Sequence, residues 1–417
     1  MHLYFLFIRI AALFGHKKAR ALVRGQKSAF SSQLSDFCQC IWIHAASVGE
    51  FEQARPLIER LRLEQPKKKI VVTFFSPSGY EARKNYEQAD SVLYLPFATR
   101  RNARKFIEAL QPSMAVFVKY EFWPAYIREL KKRNIPTYSI SAIFRPKQIF
   151  FRFWGKRHLR VLKSFTKIFV QDEASRQLLE KHGVSHVSVA GDTRFDRVSE
   201  VQRDDVTKDL RPFMRFAEGC ERVIVAGSTW PEDEVLLEKY IDHLTLDIGH
   251  LSTKLILVPH ELDEKHLHFI FQLFQGKIVR LSAVCQSFVG RLSAASLQNI
   301  LQHAQVLVVD EMGLLSSLYR FGQVAYIGGG FGVGIHNTIE AAVYGVPVIF
   351  GPNYEHFREA KGLIAAGAAR SIKKYSELEA ALDTALENHE TIGAKAAEYV
   401  ESERGATAKI YEQIFAN

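Results

Sequence analysis

Residues 41–61 read IWIHAASVGEFEQARPLIERL. An apolar strand runs into a turn holding Ser47, Gly49 and Glu50, and the turn opens an amphipathic helix. A carboxylate at a strand-to-helix turn sits where α/β enzymes place their working groups. The same position suits an acid that does no more than favour the helix dipole. What the chain carries at its other strand ends decides between these readings.

The alternation continues downstream. KIVVTFFS, SVLYLPF, MAVFVKYEFW, TYSISAIF and KIFVQD read as strands, each followed by helical pattern. Pro124 opens one of those helices, a favoured first position. Short buried strands with intervening helices predict a doubly wound parallel sheet. Around residues 200–220 the chain turns polar and reads as a connecting helix and linker. The rhythm restarts with RVIVAGST, KLILVPH, KIVRLS, QVLVVDEMG, VAYIGGG and PVIFGP, with a helix near 337–344 and helical pattern from Ser376 to the end. The expected fold class is α/β, the GT-B architecture: two Rossmann-like domains whose parallel sheets are expected to face across a cleft. The expected divisions are 1–30, 31–205 and 206–417.

Composition agrees. The 417 residues are too many for one core and suit two domains. A 47% apolar and 24% charged chain is that of a folded soluble protein. Four cysteines make no disulfide framework. Cys38 and Cys40 form a lone C-x-C without the second pair that zinc needs. Charge is uneven: residues 1–200 hold 35 Lys and Arg against 17 Asp and Glu, and the remainder holds 20 against 28. The first half is expected to meet something anionic: nucleic acid, acidic lipid or a phosphorylated substrate. A solvated basic surface is the plain alternative.

The N-terminus narrows this. MHLYFLFIRIAALFG is apolar but broken by Arg9. As a helix it reaches about 21 Å, short of the roughly 30 Å hydrocarbon core. Lys17, Lys18, Arg20, Arg24 and Lys27 follow it. A signal peptide carries its charges before the apolar run. The reading is a helix that dips into one leaflet, its basic flank held by anionic headgroups. An ordinary amphipathic helix packed on the domain is the alternative.

Candidate groups fall at strand ends. In the first half these are Ser47, Gly49 and Glu50, then Ser76, Ser78 and Gly79, then Glu121. In the second they are Ser228 and Thr229, His260 and Glu261, Met312 and Gly313, and Gly328 to Gly330. GIHNTIEAAVYGVP then opens a helix that Asn337 is expected to cap, with Glu340 on the same face. Free N–H groups there suit a phosphate, and Glu340 suits a ribose diol. No Walker lysine and no GxGxxG is present, which speaks against kinases and dehydrogenases. A Glu340–arginine pair, a satisfied buried His260 and a simple glycine turn are the structural alternatives.

The combination resembles the Kdo transferases of lipopolysaccharide synthesis, which move 3-deoxy-D-manno-octulosonic acid (Kdo) from CMP-Kdo to a lipid A precursor. The residues that carry it are SVGE (47–50), FSPSGY (75–80), YLPF (94–97), YEFWP (120–124), GDTRFDRV (191–198), AGSTWPEDE (226–234), VPHE (258–261), DEMGLL (310–315) and GGGFGVGIHNTIEAAVYGVPVIFGP (328–352). The resemblance implies an inverting transfer by a monotopic protein on the cytoplasmic face of the bacterial inner membrane. It implies a membrane-associated helix in 1–30, an acceptor-binding domain in 31–205 and a CMP-sugar-binding domain in 206–417. By the same resemblance Glu50 is the general base, and Glu121 and Arg194 stabilise the transition state. Ser228, Thr229, Pro259, His260, Met312, Gly313, Leu314, Gly330, His336, Asn337, Thr338, Ile339 and Glu340 lie on the donor side. Ser47, Gly49, Ser76 and Ser78 lie on the acceptor side.

The expected partners are CMP-Kdo, the lipid A precursor and an anionic membrane surface. No cofactor is expected, and no metal: no D-x-D motif sits at a strand end, and Asp204-Asp205 lie in the linker helix. The chain departs from the family where MGEL becomes Met312-Gly313-Leu314-Leu315 and HNP becomes His336-Asn337-Thr338. Two rival functions remain: a GT-B transferase of a UDP- or GDP-sugar, and a non-catalytic basic membrane or nucleic-acid binder. Nucleic acid is not expected, because stacking aromatics are not interleaved with the basic runs.

Overall fold

The computed structural model describes residues 2–28, 32–204, 209–246, 253–286 and 300–415. It forms two compact units, Met1–Arg197 with Glu403–Asn417, and Val198–Ser402. The boundary expected at 205/206 lies outside the described residues, as does Asp205.

In the first unit the described strands are β1 (Ile41–Ala45), β2 (Ile70–Phe74), β3 (Ser91–Tyr94), β4 (Met114–Val118), β5 (Thr137–Ala142), β6 (Lys167–Val170) and β7 (Val187–Val189). They pair in parallel in the order β3-β2-β1-β4-β5-β6-β7. The strands β1 and β2 are buried along their whole length, as expected where helices cover both faces of a parallel sheet. The helix Val48–Glu64 buries Phe51, Ala54, Leu57, Ile58 and Leu61 on one side. These residues share a core with Ile43, Val72, Val116 and Ile140.

The last helix, Ala406–Phe415, returns to this unit, which corrects the assignment of 403–417 to the second domain. Ile410 and Ile414 join the same core. Gln65 donates to Tyr411 Oη at 3.1 Å. The Asp196 carboxylate accepts the N–H groups of Gly405 and Thr407, each at 2.7 Å.

At the N-terminus two helices stand where one was expected, His2–Leu13 and Lys17–Ser28. Phe5 is buried and stacks on Phe97 at 4.6 Å. Gln26 clasps the β3 exit, donating to Leu95 O and accepting from Phe97 N. Phe7, Leu13 and Phe14 stay exposed. The first helix therefore packs on the domain by one face and leaves apolar side chains on another. No helix among the described residues is long and apolar enough to cross a membrane.

The second unit has β8 (Arg222–Thr229), β9 (Thr253–Pro259), β10 (Ile278–Arg280), β11 (Val306–Val308), β12 (Val324–Ile327), β13 (Val348–Phe350) and β14 (Ala369–Ser371). Their parallel order is β10-β11-β9-β8-β12-β13-β14. The strands β7 and β14 are not expected from sequence. Both are three-residue edge strands, only half buried, too short to carry a hydrophobic pattern.

Candidate active-site groups at the two switch points

In the first sheet the connections run one way from β1 and the other way from β4, and these strands are neighbours. Such a reversal opens a crevice at the strands' carboxyl ends. Glu50 follows β1 and Glu121 follows β4. The turn at Glu50 is a capping box. Glu50 Oε2 accepts the N–H groups of Ala46 and Ser47 at 2.7 and 3.3 Å, and the Ser47 side chain faces Glu50 N at 3.5 Å. Among the described residues Oε1 has no hydrogen bond. Glu50 is thus both a helix-capping acid and an anchored carboxylate with one oxygen unused. Burial, and then the charge of Glu121, push its carboxyl up to about 7.

Glu121 is held in turn. Trp123 Nε1 donates to its Oε2 at 2.5 Å, and His44 Nε2 lies 3.2 Å from the same oxygen. His44 is fully buried on β1, and the parallel register puts it beside Thr73 of β2. Its Nδ1 is 2.9 Å from Thr73 Oγ1, which also accepts from Trp42 Nε1 at 2.8 Å. A chain of hydrogen bonds, Trp42–Thr73–His44–Glu121–Trp123, therefore runs through the sheet to the crevice. Sequence reading missed His44. The signal was there, a lone polar residue in the buried run IWIHA.

Arg194, in the first turn of the helix Thr193–Asp204, grips the buried Asp192 through Nε and Nη2 at 3.0 and 2.8 Å. Burial alone would raise the Asp192 carboxyl; the Arg194 guanidinium outweighs it and holds the group below the usual range. Thr193 ties this helix to the one bearing Glu50, donating to Gln53 O at 2.6 Å. Lys119, next to the YEFWP turn, has left-handed backbone at φ 58°. Its ammonium lowers the carboxyls of both Glu50 and Asp192. A non-glycine residue in that region is strained and marks a site candidate; sequence reading missed it. Of the expected acceptor-side groups, Ser47 and Ser76 act as helix caps. Ser78 is exposed. Nothing lies within 4 Å of where a Cβ on Gly49 would sit.

In the second sheet the reversal falls between β8 and β12. Ser228, at φ 54°, marks a register slip at the end of β8. The Gly328–Gly330 turn follows β12, and it is more than a simple turn. A Cβ on Gly328 would stand 2.3 Å from Ser228 O, and one on Gly330 would stand 2.6 Å from the Gly351 backbone. Asp233 binds the two loops together. It accepts from Tyr326 Oη at 2.7 Å, Gly329 N at 2.9 Å and Trp230 N at 3.0 Å. Three aromatic rings stack here: Trp230 on His260 at 5.0 Å and His260 on His336 at 4.3 Å. Burial, and then His260, push His336 down to about 4, so it is neutral at pH 7. Trp230 was not among the expected residues.

Several expected donor-side groups take structural parts. The buried Thr229 hydroxyl donates to Glu234 at 2.8 Å, and Glu234 pairs with His266 at 3.0 Å. Pro259 and Ile339 are buried. The helix expected near 337–344 is a single turn, Ile339–Ala342, with Thr338 at its N-cap and no side-chain cap bond. It is too short for much of a dipole. Asn337 nonetheless accepts Ile339 N at 3.3 Å and donates to Glu340 Oε1 at 2.8 Å, fixing that carboxylate. The Thr338 hydroxyl is buried without a partner among the described residues. Met312 is exposed, and Gly313 turns at φ 89°.

Residues 14–197 match the family model described as 3-deoxy-D-manno-octulosonic-acid transferase (kdotransferase). The chain is similar to 3-deoxy-D-manno-octulosonic acid transferases of Rickettsia bellii (28% identity, covering 90% of this chain and 86% of that one) and Haemophilus influenzae (27%, 90% and 86%). Among solved structures it resembles UDP-GlcNAc 2-epimerase from Neisseria meningitidis (TM-score 0.64, 16% identity, 90% of this chain and 100% of that one). It also resembles Acinetobacter baumannii MurG (TM-score 0.55, 11%, 91% and 100%). At such identities these structures speak for the GT-B fold alone.

Proposed function

We propose that this chain is a Kdo transferase, that the sugar comes from CMP-Kdo and that it goes, with inversion, to a primary hydroxyl of a lipid A precursor; the family model over residues 14–197 and relatives of 27–28% identity support the reading. The observation that carries this is Glu50: a half-buried carboxylate anchored through one oxygen, with its proton affinity raised to about 7. A base poised near the working pH is what a poor nucleophile such as an alcohol needs, and it contributes about 10²–10⁴-fold. The alcohol oxygen bonds to the Kdo anomeric carbon, and its proton passes to Glu50. The bond from that carbon to the CMP phosphate oxygen breaks, and CMP leaves with the electron pair. Arg194 answers the developing negative charge. Glu121, fixed by His44 and Trp123, orients the reacting groups. The loops around Asn337, Glu340, His260 and Gly330 hold the nucleotide. The protein works on the cytoplasmic face of the bacterial inner membrane, its N-terminal helix on an anionic surface. Activity is expected to survive EDTA.

The test is transfer from CMP-Kdo, generated in situ, to a tetra-acylated lipid A precursor, with products resolved by mass. Wild type should add a Kdo-sized increment and Glu50→Ala should add none. CMP and CTP should protect the protein from heat, and UDP should not. No transfer by folded wild type, with protection by UDP instead, would point to a different sugar nucleotide.

A further inference from the structure

Residues 130–171 hold 11 Lys and Arg and no Asp or Glu. Within that run the chain makes two short 3-10 turns, Ile149–Phe151 and Phe153–Gly155. They form a built tip: a Cβ on Gly155 would stand 1.7 Å from Ile149 O. Phe150 and Phe151 face inward, onto Phe122 at 5.3 Å and His182 at 4.7 Å. Ile149, Phe153 and Trp154 face outward, 43%, 83% and 59% exposed. Arg145, Lys147, Arg152, Lys156 and Arg157 around them are exposed as well. The expectation that aromatic and basic residues are not interleaved fails here.

We infer that the Ile149–Trp154 tip is a second lipid-contacting element, one that enters the interfacial layer of an anionic bilayer while the surrounding cations bind lipid phosphates. Large apolar side chains left in water are costly, and Trp and Phe are at home at the headgroup level. Exposed cations on a segment that holds no acid over 42 residues complement an anionic plane. A nucleic acid fits less well. Ile149 is aliphatic, and Phe153 meets Trp154 edge-on at 81° instead of lying parallel as a platform for successive bases. The tip is also coupled to the candidate site. Phe122 of the YEFWP turn packs on Phe144 and Phe150, and Arg145 donates to Tyr120 Oη at 3.5 Å. Seating the tip in lipid holds the Glu121 turn at the membrane surface. The use made of the tip rests on the lipid-acceptor reading; its binding to lipid does not.

The experiment measures partition of the full chain into vesicles of phosphatidylethanolamine with phosphatidylglycerol, and into phosphatidylcholine vesicles. The double variant Phe153→Ser, Trp154→Ser should lose about tenfold in partition to the anionic vesicles. It should keep wild-type transfer to detergent-dispersed acceptor. Arg152→Glu with Lys156→Glu should weaken the preference for anionic vesicles, the N-terminal basic flank keeping the remainder. Trp154→Phe should bind like wild type but lose most of the fluorescence quenching by brominated acyl chains. The inference is overturned if the double variant partitions like wild type, or if brominated lipid leaves Trp154 of the bound protein unquenched. Oligonucleotide binding lost in the double variant, with vesicle binding unchanged, would put nucleic acid in place of the bilayer. Vesicle results as expected with no Kdo transfer by wild type would refute the proposed reaction and leave the lipid-contacting tip standing.

Discussion

Replacing Glu50 by Gln should make the protein more stable as it makes it inactive. The amide keeps an oxygen to accept from Ala46 N and Ser47 N, so the capping geometry survives. It cannot ionise. In wild type the carboxyl is moved from the ordinary 4.5 to about 7 by burial and by Glu121. At about 1.4 kcal/mol for each tenfold step, ionising it costs the folded state about 3 kcal/mol. An acid with a raised folded-state pKa binds its extra proton between those two values. Wild type therefore loses stability as pH rises through about 4.5 to 7, and Glu50→Gln does not. Urea unfolding should find the variant ahead by less than about 1 kcal/mol at pH 5 and by about 3 kcal/mol at pH 8. Transfer should fall about 10²–10⁴-fold. Parallel stability profiles from pH 5 to 8 would mean that Glu50 ionises like an exposed carboxylate, and the base assignment would lose its support. Full transfer by the variant would remove Glu50 from the mechanism outright.

Three further outcomes follow from the geometry. His44→Ala should lower kcat about tenfold or more with CMP affinity unchanged, because Glu121 loses a support and not a ligand; His44→Gln, which can offer an N–H near the Nε2 position, should recover part of it, and equal kcat for all three proteins would refute the positioning role. Asp233→Ala leaves the Tyr326 hydroxyl and Gly329 N–H unpaired, so urea unfolding should find about 3 kcal/mol lost; under about 1 kcal/mol would mean that the two loops do not depend on it. Gly330→Ala must displace the Gly351 backbone and should abolish protection by CMP, whereas Gly49→Ala meets open space and should leave the melting temperature unchanged; the reverse pattern would sink the account of both loops.

Much of this protein is local in origin, and local features are legible. Short runs such as IVVTF and VIVAG are buried from end to end and need no partner to announce themselves as strands. Polar residues that interrupt the pattern just after each run mark the sheet's carboxyl edge, which is how Glu50, Glu121 and Asn337 to Glu340 come forward from sequence. The capping box at Ser47 and Glu50 is likewise set by residues three apart.

Contacts between segments distant in sequence were decided only by the fold. That β1 lies beside β4 brings Glu50 and Glu121 close enough to perturb one another. That β1 lies beside β2 lets Thr73 meet His44, 29 residues away. The return of the last helix to the first unit rests on Asp196 reaching Gly405 and Thr407, more than 200 positions on. The proton affinity of Glu50 belongs to this second class. A sequence can place a carboxylate at a strand end, but burial and a neighbouring charge are properties of the packed sheet, and they are what raise that carboxylate's affinity for a proton.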